Sequence, residues 1–343
     1  MKNIPSDEAG MDTDSVPDCY LCGARGDLLY EGLRDELCGT PGSWTLKRCP
    51  KPECGLVWMD PMPTREDVWK GYRVYFTHQD YAPEDNKKND RLGQLLVKVY
   101  KPLYKLFWHA SGFRKVEKSW RKRVDDLFLD EPIPGSRLLD IGCGKGDYLA
   151  RMRGRGWEVE GLEVDSEAVD NARARHGLTI HHGALETLGL PDNSFDAVTA
   201  NHVIEHVHEP IALIRECLRV LKPGGVLVLA TPNINSDAHR VFGRIWTHLD
   251  PPRHLHLFSG TTLKECGSRA GFQTIEVFIV PGYAEGSLRA SVERAEGERG
   301  KARGEFTKWL DTVILKIHIY YRFFMKGNRE VGEEVILKAR KEL

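Results

Sequence analysis

The sequence contains no uninterrupted run of 18 or more apolar residues, so no segment reads as a membrane-spanning helix. It also lacks an excess of charge of either sign. The 49 Lys and Arg residues face 50 Asp and Glu residues, a formal net charge of −1. A chain so balanced has no global attraction to nucleic acid or anionic lipid, and either partner would have to meet a local patch. An export signal is missing as well. The opening MKNIPSDEAGMDTDSVPD is acidic, carries two prolines and has no apolar centre, so residues 1–17 read as a disordered lead-in. The expected location is therefore cytoplasmic, with peripheral contact at the inner face of the membrane as an extension of that expectation. No repeat of fixed period and no low-complexity tract interrupts the chain.

What is present is ample apolar material. A 41% hydrophobic content over 343 residues supports one main domain with additions. Eight cysteines without an export signal read as thiols or metal ligands rather than as a disulfide framework. Four of them form two pairs, Cys19-x2-Cys22 and Cys49-x4-Cys54, each followed by glycine. That pattern suits two knuckles closing on one structural zinc ion, with residues 18–63 as the zinc-binding module. Buried free thiols are the plain alternative, and Cys38 is the extra cysteine that could replace a ligand.

Residues 64–134 read as a helical segment rich in basic and aromatic residues. From Lys87 to Arg123 there are twelve Lys and Arg against two Asp and Glu, interleaved with Tyr100, Tyr104, Phe107 and Trp108. Leu95, Leu96, Val99, Leu103, Leu106 and Phe107 fall near one helical face, and Pro102 is expected to kink or divide the helix.

After the linker DEPIPGS the pattern changes. RLLDI, WEVEGLEV, FDAVTA, GVLVLA and TIEVFIV read as strands; Asp147 to Gly154, Ser166 to His176, Pro210 to Leu221 and Thr262 to Ala270 read as helices. Such alternation predicts an α/β fold, doubly wound and Rossmann-like, with a mostly parallel sheet over residues 135–283. Residues 284–343 form a C-terminal extension: a polar linker (Glu293 to Glu305), then an amphipathic helix through Phe306, Trp309, Leu310, Val313, Ile314, Ile317, Tyr321 and Phe324, with Lys308, Lys316 and Arg322 interspersed. Such a face packs on its own domain, on a second copy of the chain, or on a membrane surface.

In LLDIGCGKGDYL a strand runs into Gly142, Gly144 and Gly146 and then a helix, a turn where backbone can approach a nucleotide-like ligand closely. Asp147 stands where dinucleotide enzymes place a third glycine, which argues against NAD. Glu163, at the end of the next strand, supplies a carboxylate for ribose hydroxyls. LLDIGCGKG, GLEVDSEAVDNAR, LPDNSFDAVTANHVIEHV and LRVLKPGGVLVLATPN, in this order and spacing, resemble the motifs of the class I S-adenosylmethionine (SAM)-dependent methyltransferases over roughly residues 115–282.

The resemblance implies a seven-stranded methyltransferase sheet and SAM as cofactor. It implies that Asp140 organises the glycine loop, that Gly142, Cys143, Gly144 and Gly146 contact the methionine moiety and ribose, and that Glu163 and Val164 hold the ribose side. Asp165 is a better helix cap than ligand. Many members carry an Asp after the glycine of the third strand, whereas HHGALETL offers Gly183 and Ala184. Adenine recognition then falls to backbone at Ala184 and Leu185, with Glu186 nearby, and Asn201 lies at the rim.

Methyl transfer depends on aligning acceptor, methyl and leaving sulfur, with a base where the acceptor carries a proton. His206, in NHVIEHVHEP, is the first candidate for base or acceptor contact. His254 and His256, in THLDPPRHLHLFS, resemble the segment closing the acceptor pocket in methyltransferases with PNxxS and HLxxF patterns, and Arg253 could hold an anionic acceptor. HVIEH also matches an inverted zinc-protease motif, a coincidence beside the other motifs. The cysteine module resembles two groups: bacterial methyltransferases acting on sugars, polysaccharide precursors or secondary metabolites, and rRNA guanine methyltransferases. CYLCG, RCPKPECGLVW and DPMP favour the first group.

The expected activity is methyl transfer to a small-molecule or glycan- and nucleotide-sugar-type acceptor. Alternatives are a quinone or lipid acceptor at the membrane surface, rRNA, and a SAM-binding or zinc-mediated interaction protein without turnover. A homo-oligomer through the C-terminal helix is a further expectation.

Overall fold

The structure is a computed structural model and describes residues 10–72, 90–281, 284–299, 304–325 and 329–343. The first nine residues of the expected lead-in lie outside these. Residues 10–17 are tied down: β1 (Thr13–Asp14) pairs with Met62–Pro63, and Val16 N–H donates to Asp60 Oδ1 at 2.7 Å.

The amino-terminal module is a small antiparallel sheet of β2 (Asp27–Leu33), β3 (Trp44–Arg48) and β4 (Val57–Met59), followed by β5 (Met62–Pro63). Of the segment expected to be helical from residue 64, Val68–Tyr72 is a short 3-10 turn and residues 73–89 lie outside the described residues. Two helices follow, α1 (Arg91–Ala110) and α2 (Phe113–Asp125). Pro102 sits inside α1 without dividing it.

The main domain then alternates β6 (Arg137–Ile141), α3 (Asp147–Arg153), β7 (Glu158–Glu163), α4 (Ser166–His176), β8 (Thr179–His182), β9 (Phe195–Asn201), α5 (Pro210–Val220) and β10 (Leu221–Pro232). Next come α6 (Asp237–Phe242), β11 (His256–Leu257), α7 (Gly260–Ala270), β12 (Thr274–Val280), α8 (Ala284–Arg299), α9 (Glu305–Tyr320) and β13 (Glu334–Arg340). The large sheet has seven strands in the order β12-β13-β10-β9-β6-β7-β8. Strands β8 through β10 of that order run parallel, and β13 is antiparallel to both β10 and β12. Parallel strands need both faces covered, and the near-continuous burial of Leu138 to Ile141 and Leu227 to Ala230 shows that they are.

Two expectations about the carboxyl-terminal region are corrected. The stretch from Glu293, expected as a linker, is helical up to Arg299. Leu288 and Val292 of α8 are buried, and Arg289 Nη2 donates to Glu305 Oε2 at 2.7 Å, tying α8 to α9. The sheet, expected over residues 135–283, also takes a strand from the extension, because β13 returns to fill it between β10 and β12.

Helix α9 turns Val313, Ile319 and Tyr320 inward, and its cations follow. Lys316 is buried over the Trp108 ring and pairs with Glu117 at 3.1 Å, and Lys308 pairs with Glu296 at 3.1 Å; Arg322, in the turn just after α9, pairs with Asp237 at 2.6 Å. The α1 stripe behaves oppositely. Leu92, Leu95, Val99, Leu103 and Leu106 are all more than half exposed.

The module does not stand apart. Strand β11, from beyond β10, completes its sheet in the order β11-β4-β3-β2. Cys19, Leu21, Cys49, Leu56 and Trp58 share one core with β6, β9, β10 and α5.

Candidate active site

The sharpest local feature is the bend from β6 into α3. Gly142, Gly144 and Gly146 all take positive φ, at 67°, 53° and 79°. Gly142 needs this for space as well as for the turn: a Cβ there would lie 2.5 Å from Val203 Cγ2. At Gly144 a Cβ would meet nothing within 4 Å, so this backbone faces an open cleft, as a loop that cradles a ligand requires. Replacing Gly142 by Ala is expected to combine left-handed strain of about 1–3 kcal/mol with this clash. The measurements are a loss of cofactor affinity by calorimetry and a lower urea midpoint; an unchanged affinity would show that the bend is not needed.

Glu163 ends β7 beside the bend. It is buried, with Oε2 accepting from Gly144 N–H at 2.9 Å and Oε1 from the N–H groups of Val164 and Asp165 at 2.8 and 3.1 Å. Three of a carboxylate's roughly four acceptor directions are thus taken, and a second ribose hydroxyl would have to displace an amide. Asp165 caps α4, accepting from Glu167 and Ala168 N–H.

Asp140 lies under the loop, fully enclosed. Burial pushes its pKa up to about 7 against the pull of the Thr199 hydroxyl, which donates to Oδ1 at 2.7 Å. Cys143 turns its thiol into the core, and its own N–H donates to Leu162 O at 3.1 Å, leaving little of it for a ligand. Val164 is exposed at the cleft, Ala184 precedes a 3-10 turn whose Leu185 is buried, and Asn201 is exposed at the end of β9. The bend, Glu163 and the rim therefore lie at the carboxyl ends of β6, β7 and β9, the end of the sheet where open α/β folds bind ligands.

Beyond β9 the chain turns sharply at His202, whose φ is +54°. The turn brings together residues far apart in sequence. His206 and His254 stack edge-on with ring centroids 4.7 Å apart, beside the fully buried Glu205. Glu205 accepts from His202 Nδ1 at 3.1 Å and from the Thr231 hydroxyl at 2.9 Å. Burial works against the His202 charge, but its bonds to Glu205 and Glu334 outweigh that and push its pKa up to about 10. Burial likewise works against the Glu205 charge, and His202 holds its pKa down at about 2. Burial, then the neighbouring His254, lowers His206 to about 4, so its imidazole is neutral near pH 7.

His256 goes elsewhere. It lies on β11 with Nδ1 against Val207 O at 3.2 Å and its ring against Tyr20, and burial lowers its pKa to about 4.

Arg253 corrects the expectation of an anion-binding arginine. It is fully buried and its fork is spent on Asp35, at 2.7 Å from each of Nη1 and Nη2, on Asp250 at 2.6 and 2.9 Å, and on Gly71 O at 2.9 Å. Sequence reasoning singled out neither Asp35 nor Tyr72, whose hydroxyl lies 2.8 Å from His206 Nδ1. No local pattern marks partners that come from the amino-terminal module.

The four cysteines converge. Cys19 Sγ lies 3.6 Å from Cys54 Sγ and Cys22 Sγ 3.4 Å from Cys49 Sγ, with all four within 4.8 Å of one another. Four sulfurs about 2.3 Å from a tetrahedral zinc are about 3.8 Å apart, so the spacing fits that ion. Cys38 is outside the cluster, its N–H held by Asp35.

A methyltransferase-domain family model matches residues 113–277. The chain is 36% identical over 197 residues to a probable S-adenosylmethionine-dependent methyltransferase of Mycolicibacterium smegmatis, covering 54% of this chain and 74% of that protein. It is 33% identical over 159 residues to a ubiquinone biosynthesis O-methyltransferase of Xanthomonas campestris pv. campestris, covering 44% of this chain and 66% of that protein. Among solved structures, a phosphoethanolamine N-methyltransferase 2 of Haemonchus contortus with S-adenosyl-L-methionine superposes with a TM-score of 0.44 at 21% identity, over 65% of this chain and 53% of that one.

Proposed function

The chain belongs to the S-adenosylmethionine-dependent methyltransferases, and on that premise we propose that it methylates a small-molecule or glycan-type acceptor held at the carboxyl end of β9. The observation that carries this reading is the pairing of the Gly142–Gly146 bend and Glu163 with the cluster of Glu205, His206 and His254, the first two of which follow Val203, the residue that abuts Gly142. SAM bound at the bend supplies an electrophilic methyl on a sulfonium. The chain's own part is to hold the ribose at Glu163, to keep the bend open with backbone at Gly144, and to orient an acceptor beside His206 and His254. Most of the gain comes from alignment of the reacting groups. Cys19, Cys22, Cys49 and Cys54 would hold a structural zinc ion, which closes the module with no open coordination position.

The test is incubation of the full chain with methyl-labelled SAM and separated cell fractions. Label is expected in a small, soluble product. Label in RNA would replace this reading by the rRNA alternative, and tight SAM binding without transfer to any fraction would favour an interaction protein.

A second reading, a lipid-linked or quinone acceptor at a membrane surface, is supported by the exposed α1 stripe. Leu92, Leu95, Val99, Leu103 and Leu106 recur at helical spacing beside the exposed Lys98, Lys101 and Lys105. No helix of the described residues is long and apolar enough to cross a membrane. With phosphatidylcholine vesicles containing phosphatidylglycerol, the reading predicts co-sedimentation that Val99→Glu with Leu103→Glu abolishes. Equal recovery of wild type and variant in the supernatant would remove it.

A further inference from the structure

We propose that Glu205, His206 and His254 bind a divalent metal ion that receives the acceptor through oxygen. The ion is of the class that takes imidazole and carboxylate together: manganese, iron, cobalt or zinc. Its role toward the acceptor rests on the methyltransferase reading, whereas the binding of the ion does not.

The group joins two segments of the chain, the turn after β9 that carries Glu205 and His206 and the loop before β11 that carries His254. One ligand atom from each of Glu205, His206 and His254 lies within 4.8 Å of the others. Two ligands about 2.1 Å from one ion are at most about 4.2 Å apart, so the group closes on a cation by less than about 1 Å.

Each member is also oriented from behind, as metal ligands are. His206 Nδ1 lies 3.1 Å from Arg253 O, and His254 Nδ1 lies 2.7 Å from His248 O. A carbonyl only accepts, so at His254 this bond fixes Nδ1 as the N–H and leaves Nε2 with its lone pair, while at His206 Arg253 O and the Tyr72 hydroxyl, 2.8 Å from Nδ1, together hold the ring in place. Glu205 has one oxygen held by His202 and the other by Thr231, which sets the carboxylate plane while lone pairs remain on both oxygens. Two imidazoles and one carboxylate leave coordination positions open, the arrangement of metal sites that bind a substrate or water rather than of closed structural ones.

The location suits the chemistry. Val203, one residue from His202 and two from Glu205, abuts Gly142 of the cofactor bend. An acceptor bound to the cation therefore lies on the segment that lines the methyl donor's cleft. A hydroxyl bound to a divalent cation loses its proton more readily than a free one. The acceptor class that follows is an oxygen nucleophile, best a pair of neighbouring oxygens that chelate.

The test is a cobalt(II) titration of the full chain followed by absorbance, with SAM calorimetry alongside. Cobalt held by the four cysteines gives a sulfur-to-metal charge-transfer band, and cobalt held by Glu205, His206 and His254 gives visible d–d bands without it. The expected result is one cobalt equivalent without sulfur character, retained in Cys49→Ser and lost, by at least tenfold in affinity, in both His254→Gln and Glu205→Gln. Both variants are expected to bind SAM like wild type, which shows that they fold. Absence of such an equivalent in a wild type that binds SAM, or its persistence in His254→Gln, overturns the proposal. Failure of wild type to bind SAM would instead strike the methyltransferase reading.

Discussion

Replacing Arg253 by alanine is expected to destabilise the folded chain by about 3–5 kcal/mol, the cost of breaking a buried ion pair from one side. The guanidinium has no exposure, and its loss strands the carboxylates of Asp35 and Asp250 in the interior. Asp35 belongs to the amino-terminal module, whereas Asp250 and Arg253 belong to the loop after β10, so this pair holds the two parts together. The measurement is a lower urea midpoint at unchanged slope, with a loss confined to about 1 kcal/mol contradicting the account. The same pair gives an acid limit. Burial works against the Asp35 charge, but Arg253 holds its pKa at about 2, below the ordinary 3.8. Its stabilisation is complete above the unfolded value and is lost as the pH falls toward 2.

Stripping the cysteine site is expected to have the other large effect. Apparent binding free energies of structural zinc at four thiolates run to roughly 10–16 kcal/mol and count as folding free energy. Here the loss spreads, because Cys19 and Cys49 share their core with β6, β9 and β10, Tyr20 OH contacts Ile211 N–H, and Arg269 donates to Leu21 O. Chelation or Cys49→Ser should therefore lower the thermal midpoint of the whole chain and weaken SAM binding with it. Elemental analysis showing one zinc equivalent fewer in Cys49→Ser than in wild type checks the ion at the four cysteines. A module that melts alone while SAM affinity stays intact would contradict the coupling.

Features local in sequence were legible. The alternation of RLLDI, WEVEGLEV and TIEVFIV with intervening helices corresponds to β6, β7, β12 and the sheet they belong to, because each buried strand is a short apolar run. The bend and Glu163 were legible because a positive φ demands glycine and a strand end has a fixed position. Long-range pairing was not. EVILKAR alternates too weakly to declare itself a strand, and its place between β10 and β12 is set by the sheet it completes. Glu293 to Arg299 looked like a linker because its charges suggest solvent, whereas pairs such as Arg289 with Glu293 and Lys308 with Glu296 make it a helix against α9. Arg253 was misread for a related reason: charge in a sequence suggests a ligand, and only the fold reveals Asp35 behind it. The convergence of His206 and His254, 48 positions apart, likewise depends on how β9 and β10 end together.

The central claim is that the Gly142–Gly146 bend and Glu163 grip the adenosyl group of SAM. Calorimetric titration of the full chain and of Glu163→Ala with SAM tests it most directly. Hydrogen bonds to a charged group are worth about 1.5–3 kcal/mol, so saturable binding by wild type and a loss of roughly 10- to 100-fold in the variant are predicted. No heat with wild type, or equal affinity in the two proteins, would contradict it.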